Sequence, residues 1–184
     1  MEKQVYLRKF TNKNFDKGAN LLKRTLWYFI NALLVRVSWN PFMNIKIILL
    51  KSFGAQIGKD LVIKNNVCIK SPWKLNIGDN VWLGENVWID NLDYVTIGNN
   101  VCISQGALLL TGNHDYKSES FDYKNAPIII EDGTWIGAKS VVCPGVTVKS
   151  HAILTVGSIA TKDMDAYKVY QGNPAVAIRN RIIK

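Results

Sequence analysis

Histidine and cysteine are scarce in this chain of 184 residues, at two and three, and that scarcity excludes whole classes of chemistry. A metal held by three imidazoles cannot be built from His114 and His151, and no CxxC or Cys/His spacing suits zinc, so no metal site is expected. Cys68, Cys102 and Cys143 are expected on three different faces of the fold, without disulfides, as reduced thiols of a cytoplasmic protein. Long apolar runs are absent as well. Within residues 1–54 the longest uncharged stretch lies between Arg24 and Arg36, well short of the roughly 20 residues that span a bilayer. The first 20 residues are polar and lack the apolar core of a secretory signal. Carboxylates are nearly missing from the beginning of the chain: residues 1–54 hold ten Lys and Arg against Glu2 and Asp16, so they carry +8 of the net +9. No nucleic-acid partner is expected, and a peripheral contact with the inner face of a membrane through residues 1–54 is.

What is abundant is a period of six. Positions 57, 63, 69, 77, 83, 89, 97, 103, 109, 130, 136, 142, 148, 154 and 160 read I, I, I, I, L, I, I, I, L, I, I, V, V, L and A. Fourteen of these fifteen are Ile, Leu or Val, in a chain where 52 of 184 residues are, so chance does not produce the pattern. Fixed short repeats of this kind specify a parallel β-helix, in which stacked coils bury one apolar column per face. Gly follows five of the positions, at 58, 78, 84, 98 and 137, and is expected there to supply corners with positive φ. The expected fold is all-β, with a β-helical domain over 55–184 and an N-terminal helical appendage over 1–54. In the appendage, Leu22, Leu26, Phe29, Ile30, Leu33, Leu34 and Val37 recur at helical spacing, Asn40-Pro41 breaks the run, and Ile45, Ile48, Leu49 and Phe53 resume it. Two amphipathic helices capping the open end of the β-helix are expected.

Interruptions of the period locate function. The hexads skip after 69, after 89 and, for about 15 residues, after 109; all three insertions follow the third face and so leave one corner of the prism. His114 opens the longest of them, in LLLTGNHDY. Transfer of an acyl group to an alcohol needs a base that titrates near neutrality, and His114 is placed to be one. His151 falls at an outward position of its hexad and is expected to be solvated.

The hexads, together with FGAQIG, SPWKLNIGDNVWLGENVWIDN, VTIGNNVCISQGALLLTGNHDY, GTWIGAKSVVCPGV and QGNPAVAIRNR, resemble the hexapeptide-repeat acyltransferases, in the branch of colanic-acid-type exopolysaccharide acetyltransferases. That resemblance implies a left-handed β-helix, a homotrimer, acetyl-CoA as donor and a sugar hydroxyl, free or on a lipid-linked saccharide, as acceptor. It implies His114 as catalytic base and Asp93 as an acceptor contact; Asp90, Asn91 and Asp115 are further acceptor candidates from their place around the same corner. Trp135, Ala138, Val156, Thr161 and Lys162 match positions along the pantetheine arm, and Lys162 and Arg179 supply charge for phosphates. Asn173 and Pro174 read as the cap and first residue of a short C-terminal helix that contacts the donor. Serine, maltose and nucleotide-sugar acetyltransferases share the fold and stay open as alternatives. A non-catalytic scaffold would keep the hexads without TGNHDY and GNPA.

Overall fold

The computed structural model describes residues 3–11, 13, 15–37 and 42–184; Trp39 and the expected break at Asn40-Pro41 lie outside the described residues. Five coils of three short strands each follow two helices. Strands β1 (Gln56–Ile57), β2 (Val62–Ile63) and β3 (Cys68–Ile69) make the first coil, and β4 (Leu75–Ile77), β5 (Trp82–Leu83) and β6 (Trp88–Asp90) the second. The third is β7 (Val95–Ile97), β8 (Cys102–Ile103) and β9 (Leu108–Leu110), and the fourth β10 (Ile128–Ile130), β11 (Trp135–Ile136) and β12 (Val141–Val142). The fifth is β13 (Thr147–Val148), β14 (Ile153–Leu154) and β15 (Ile159–Ala160). Three parallel sheets result, and their orders β1-β4-β7-β10-β13, β2-β5-β8-β11-β14 and β3-β6-β9-β12-β15 define the three faces of a left-handed β-helix. The hexad residues from Ile63 to Ala160 are all buried and run up the axis as one column per face.

Outward residues differ by face. Gln56, Asn76, Thr96, Ile129 and Thr147 stack along the first face, whereas the second shows Val62, Trp82, Cys102, Trp135 and Ile153. The third shows Cys68, Trp88, Leu108, Val141 and Ile159. Two outward faces are therefore largely apolar and one largely polar. The cysteines are free but occupy two faces, not three: β3 carries Cys68 and Cys143 directly follows β12 of the same sheet.

The hexad glycines correct an expectation. Positive φ falls elsewhere in the corners, on Asn66, Asn80, Asn86, Asn100 and Lys139 among others, since a short amide side chain tolerates that conformation. Gly84 and Gly137 are required instead by the next coil. A Cβ on Gly137 would stand 2.6 Å from Val156 N and 2.7 Å from Leu154 O, and one on Gly84 2.6 Å from Gln105 N.

Helix α1 (Leu21–Ile30), capped by the Asn20 side chain on Lys23 N, runs on as a π-helical turn over Asn31–Val35, and α2 (Met43–Ser52) follows. Both pack on the first coil, as a cap must. Trp27 Nε1 donates to Ile69 O over 2.9 Å, and Trp27, Val35, Leu50 and Phe53 join the core. Of the expected stripe only part turns inward: Phe53 is in the core and Ile30 and Leu49 pack on it, but Leu22, Leu26, Phe29, Leu33, Ile45 and Ile48 are exposed, while Lys46 is 1% exposed. Helical spacing predicts that a stripe exists but not which stripe the β-helix takes.

No helix forms at the C-terminus. After Met164, which bridges to Val148, β16 (Lys168–Gly172) extends the second sheet and β17 (Ala175–Asn180) returns antiparallel to it. Asn173 and Pro174, joined by a cis peptide, are the two residues of the hairpin turn, not a helix start. The edge of β16 presents backbone groups that β17 satisfies by antiparallel pairing.

Candidate active site

Each insertion leaves the corner between the third and first faces. The buried Asn91 ties two of them together: its Oδ1 accepts from Ser71 N at 2.9 Å, and its Nδ2 donates to Ser71 O at 2.6 Å and Lys74 O at 3.3 Å. With no exposed surface, Asn91 holds the corner and does not reach an acceptor. Asp90 is likewise built in. It is 8% exposed, pairs with Lys70 Nζ at 2.7 Å, and its carbonyl accepts from Thr111 Oγ1 at 3.0 Å.

Asp93 and Asp115 separate here. The Asp93 N–H donates to Thr111 Oγ1 at 2.9 Å and its Oδ1 accepts from Tyr94 N at 2.7 Å, and Asp93 lines a cavity of about 350 Å³. Asp115 uses Oδ1 on Lys117 N within its own turn, its N–H donates to Asp122 O, and it stands outside that cavity.

The long loop folds back on itself through a bridge between His114 and Tyr123. His114 is half-buried, stacked on Phe121 at 4.3 Å and 8° and on Tyr123 at 4.9 Å and 29°. Its Nδ1 lies 2.7 Å from Phe121 O. A carbonyl can only accept, so Nδ1 carries the proton of the neutral imidazole and Nε2 the free lone pair. Neither Asp93 nor Asp115 orients the ring. The tautomer is fixed by a main-chain carbonyl, and Phe121 presents it from a left-handed backbone, φ 52°. Tyr123 extends from this stack into the cavity wall.

Several wall residues carry no signal in the sequence. Asp122 accepts from Thr11 N at 3.2 Å and from Ser120 Oγ; Lys74, 4% exposed, donates to Leu92 O at 2.8 Å and Asp16 O. Thr11, Phe15 and Asp16 close the cavity from the N-terminal segment, and Lys124 and Asn125 from the loop. That segment is tied down by Tyr6 N on Glu119 O, by Lys9 on Glu119 and by Trp73 Nε1 on Lys17 O. Nothing periodic marks residues 3–17 as part of a site, because they join it by tertiary contact.

The donor candidates fall into separate groups. Trp135 stands on the second face with Nε1 on Ser104 Oγ, and Ala138 and Val156 follow in the corner after that face, one coil apart, with Gly157 N on Ala138 O. Thr161 and Lys162 lie exposed after β15, around a different corner. Arg179 is on β17 opposite Val169, with Asn173 and Pro174 exposed at the far end of that hairpin. One copy of the chain does not bring these groups together. His151 is half-buried rather than solvated, stacked on Tyr167 at 4.7 Å and 2°. Among the described residues no cluster suits a metal ion.

Comparison with known proteins agrees with this geometry. Residues 127–161 match the model described as the hexapeptide repeat of succinyl-transferase. The chain is 38% identical over 168 residues to the putative colanic acid biosynthesis acetyltransferase WcaF of Escherichia coli K12, covering 90% of this chain and 91% of that one. A galactoside acetyltransferase solved in complex with coenzyme A superposes with a TM-score of 0.72 at 26% identity, over 87% of this chain and 79% of that one. A hexapeptide-repeat-containing acetyltransferase of Vibrio cholerae, complexed with acetyl coenzyme A, gives 0.80 at 21% identity, over 96% and 97% of the two chains. Near-complete coverage of a relative at that identity, on a coil of matching architecture, establishes that the chain belongs to the hexapeptide-repeat acetyltransferases and is an acyltransferase.

Proposed function

We propose that the protein moves acetyl from acetyl-CoA to a hydroxyl of a sugar in surface-glycan biosynthesis, with His114 Nε2 as general base. The observation that carries this reading is the Nδ1 hydrogen bond to Phe121 O, which leaves a basic nitrogen on a ring stacked against Tyr123, itself a wall residue of the polar cavity that Asp93 lines. The acceptor oxygen gives its proton to Nε2 as it attacks the thioester carbonyl. The C–O bond forms, the C–S bond of the tetrahedral adduct breaks, and the departing sulfur takes the proton back from the imidazolium. No acyl-enzyme is needed when both substrates are held together. Asp93, Asp122 and Tyr94 suit a polyhydroxyl ligand, and the Tyr123 and Phe15 rings suit the apolar face of a pyranose.

The donor groups are reconciled by a homotrimer. Trp135, Ala138 and Val156 of one copy and Thr161 and Lys162 of the next supply two walls of one groove, and the apolar second face, with the later coils of the third, is what cyclic association covers. No helix among the described residues is long enough and apolar enough to cross a membrane. The exposed Leu22, Leu26, Phe29 and Leu33, beside a segment carrying +8, support a peripheral contact with an anionic membrane surface. Replacing Lys13, Lys17, Lys23 and Arg24 with Gln should then abolish cosedimentation with anionic vesicles at low salt.

The deciding experiment is mass spectrometry after incubation with acetyl-CoA and lipid-linked, nucleotide-linked or polymeric glycans. His114→Asn should lower transfer by roughly 10²- to 10⁴-fold with little change in CoA affinity. A variant that keeps half of the activity would remove His114 from this role.

A further inference from the structure

A second cavity, of about 400 Å³, lies between α1 and the third face of the first two coils. It adjoins the polar cavity directly: Phe15 and Leu92 belong to both walls. Its lining is aromatic where Trp27, Trp73 and Trp88 meet, and cationic where Lys17, Arg24, Arg36 and Lys70 stand. Among the described residues no carboxylate lines it, and Arg24 Nε and Asn31 Oδ1 are buried there without a hydrogen-bond partner. Among the described residues, Lys70 is the one of these cations that makes an ion pair, with Asp90 on the adjoining coil.

This combination selects a ligand class. A neutral sugar would leave the cations uncompensated, and a bare inorganic anion would leave the aromatic wall wet. An anion joined to an apolar chain satisfies both, with the guanidinium groups as phosphate ligands and the indoles covering the first carbons. We propose that this groove binds the phosphate and the adjoining stretch of lipid chain of a lipid-phosphate-linked saccharide, whose sugar end passes Phe15 and Leu92 into the cavity at Asp93. The proposal rests on the sugar-acetylation reading above and specifies the acceptor for it. The outward apolar residues of α1, Leu22, Leu26 and Phe29, belong to the helix that forms one wall, so the rest of the chain has an apolar surface to follow.

Calorimetric titration of the full-length protein with decyl phosphate, below its micellar concentration, tests the groove without any turnover. Saturable binding is expected, about tenfold or more weaker for 1-decanol and for inorganic phosphate, because each lacks one half of the recognised chemistry. Arg36→Glu and Ala32→Phe, two exposed positions at the groove, should each weaken decyl phosphate binding by about tenfold. Equal binding of 1-decanol, indifference to both substitutions, or no binding because a neighbouring copy fills the groove would each overturn the proposal. In parallel, kcat/KM for a decyl-phosphate-linked sugar relative to the same free sugar should exceed one and collapse toward it in both variants. A wild-type enzyme that acetylates neither form would defeat the sugar-acetylation reading, while the titration alone still decides the groove.

Discussion

Around His114, two neighbours determine how the imidazole can react. Phe121 supplies the carbonyl that holds Nδ1–H, and the Phe121 and Tyr123 rings fix the plane, so the imidazole is oriented without a buried counter-charge. The two nearby aspartates then separate by experiment. Asp93→Asn should reduce kcat/KM for the acceptor by about tenfold, through loss of a charge-assisted hydrogen bond, with the acetyl-CoA KM unchanged in steady-state assay. Asp115→Asn should stay within about twofold of wild type, since its carboxylate faces only its own turn. Asn91→Ala should leave buried Ser71 and Lys74 groups unsatisfied and lower stability by about 1–3 kcal/mol in denaturant unfolding. His114 was legible because it is one of two histidines and opens the longest break in the period. Its tautomer was not, because the partner is a main-chain atom that any residue at 121 carries. That Asp90 and Asn91 are buried at the corner was not legible, because position on a coil does not say whether a polar side chain turns toward solvent or toward the coil below.

At the level of elements, the repeat predicts well and the flanking segments do not. Each hexad states its own burial, so the strands and the inward column follow from period alone. Helices at the ends answer to a single neighbour: α2 puts Lys46 inward and Ile45 and Ile48 outward, an arrangement its composition argues against. Burial pushes the Lys46 ammonium below its usual pKa of 10.5. The folded state therefore releases this proton before the unfolded chain does, and stability rises with pH through the window between the lowered folded pKa and 10.5. Lys46→Met should raise the thermal midpoint at pH 7, and the gain should shrink as pH climbs through that window, followed by circular dichroism. Gly137→Ala tests the opposite end of the packing scale. The new methyl meets Val156 N and Leu154 O of the next coil, so a loss of about 1–3 kcal/mol is expected, with a raised KM for acetyl-CoA if Ala138 and Val156 line its groove. The C-terminal hairpin escaped because GNPA suits both a helix start and a two-residue turn, and only the open edge of β16 decides between them.

For the whole molecule, the polarity of the three faces makes the strongest statement. Light scattering should give a mass three times that of one chain, and Trp135→Glu, which places a charge on an apolar outward face, should shift the population toward monomer and lower activity with it. Architecture was legible as a unit because a β-helix pairs each strand with one about a coil away, so local sequence carries nearly all of its contacts. The cavity that Asp93 lines was not, because it joins Thr11, Phe15 and Asp16 to a loop more than a hundred residues later. This difference in range has a temporal consequence. Coils can be added in the order of synthesis, each templated by the one before it, but the link from Tyr6 to Glu119 closes a ring that waits for the third coil and its loop. Closing so long a ring carries an entropic cost that grows with the logarithm of its length, and the exposed Lys9–Glu119 pair returns little of it. Residues 3–11 can therefore dock only after coils that follow them in the sequence, so the stacked scaffold can form before the cavity is closed.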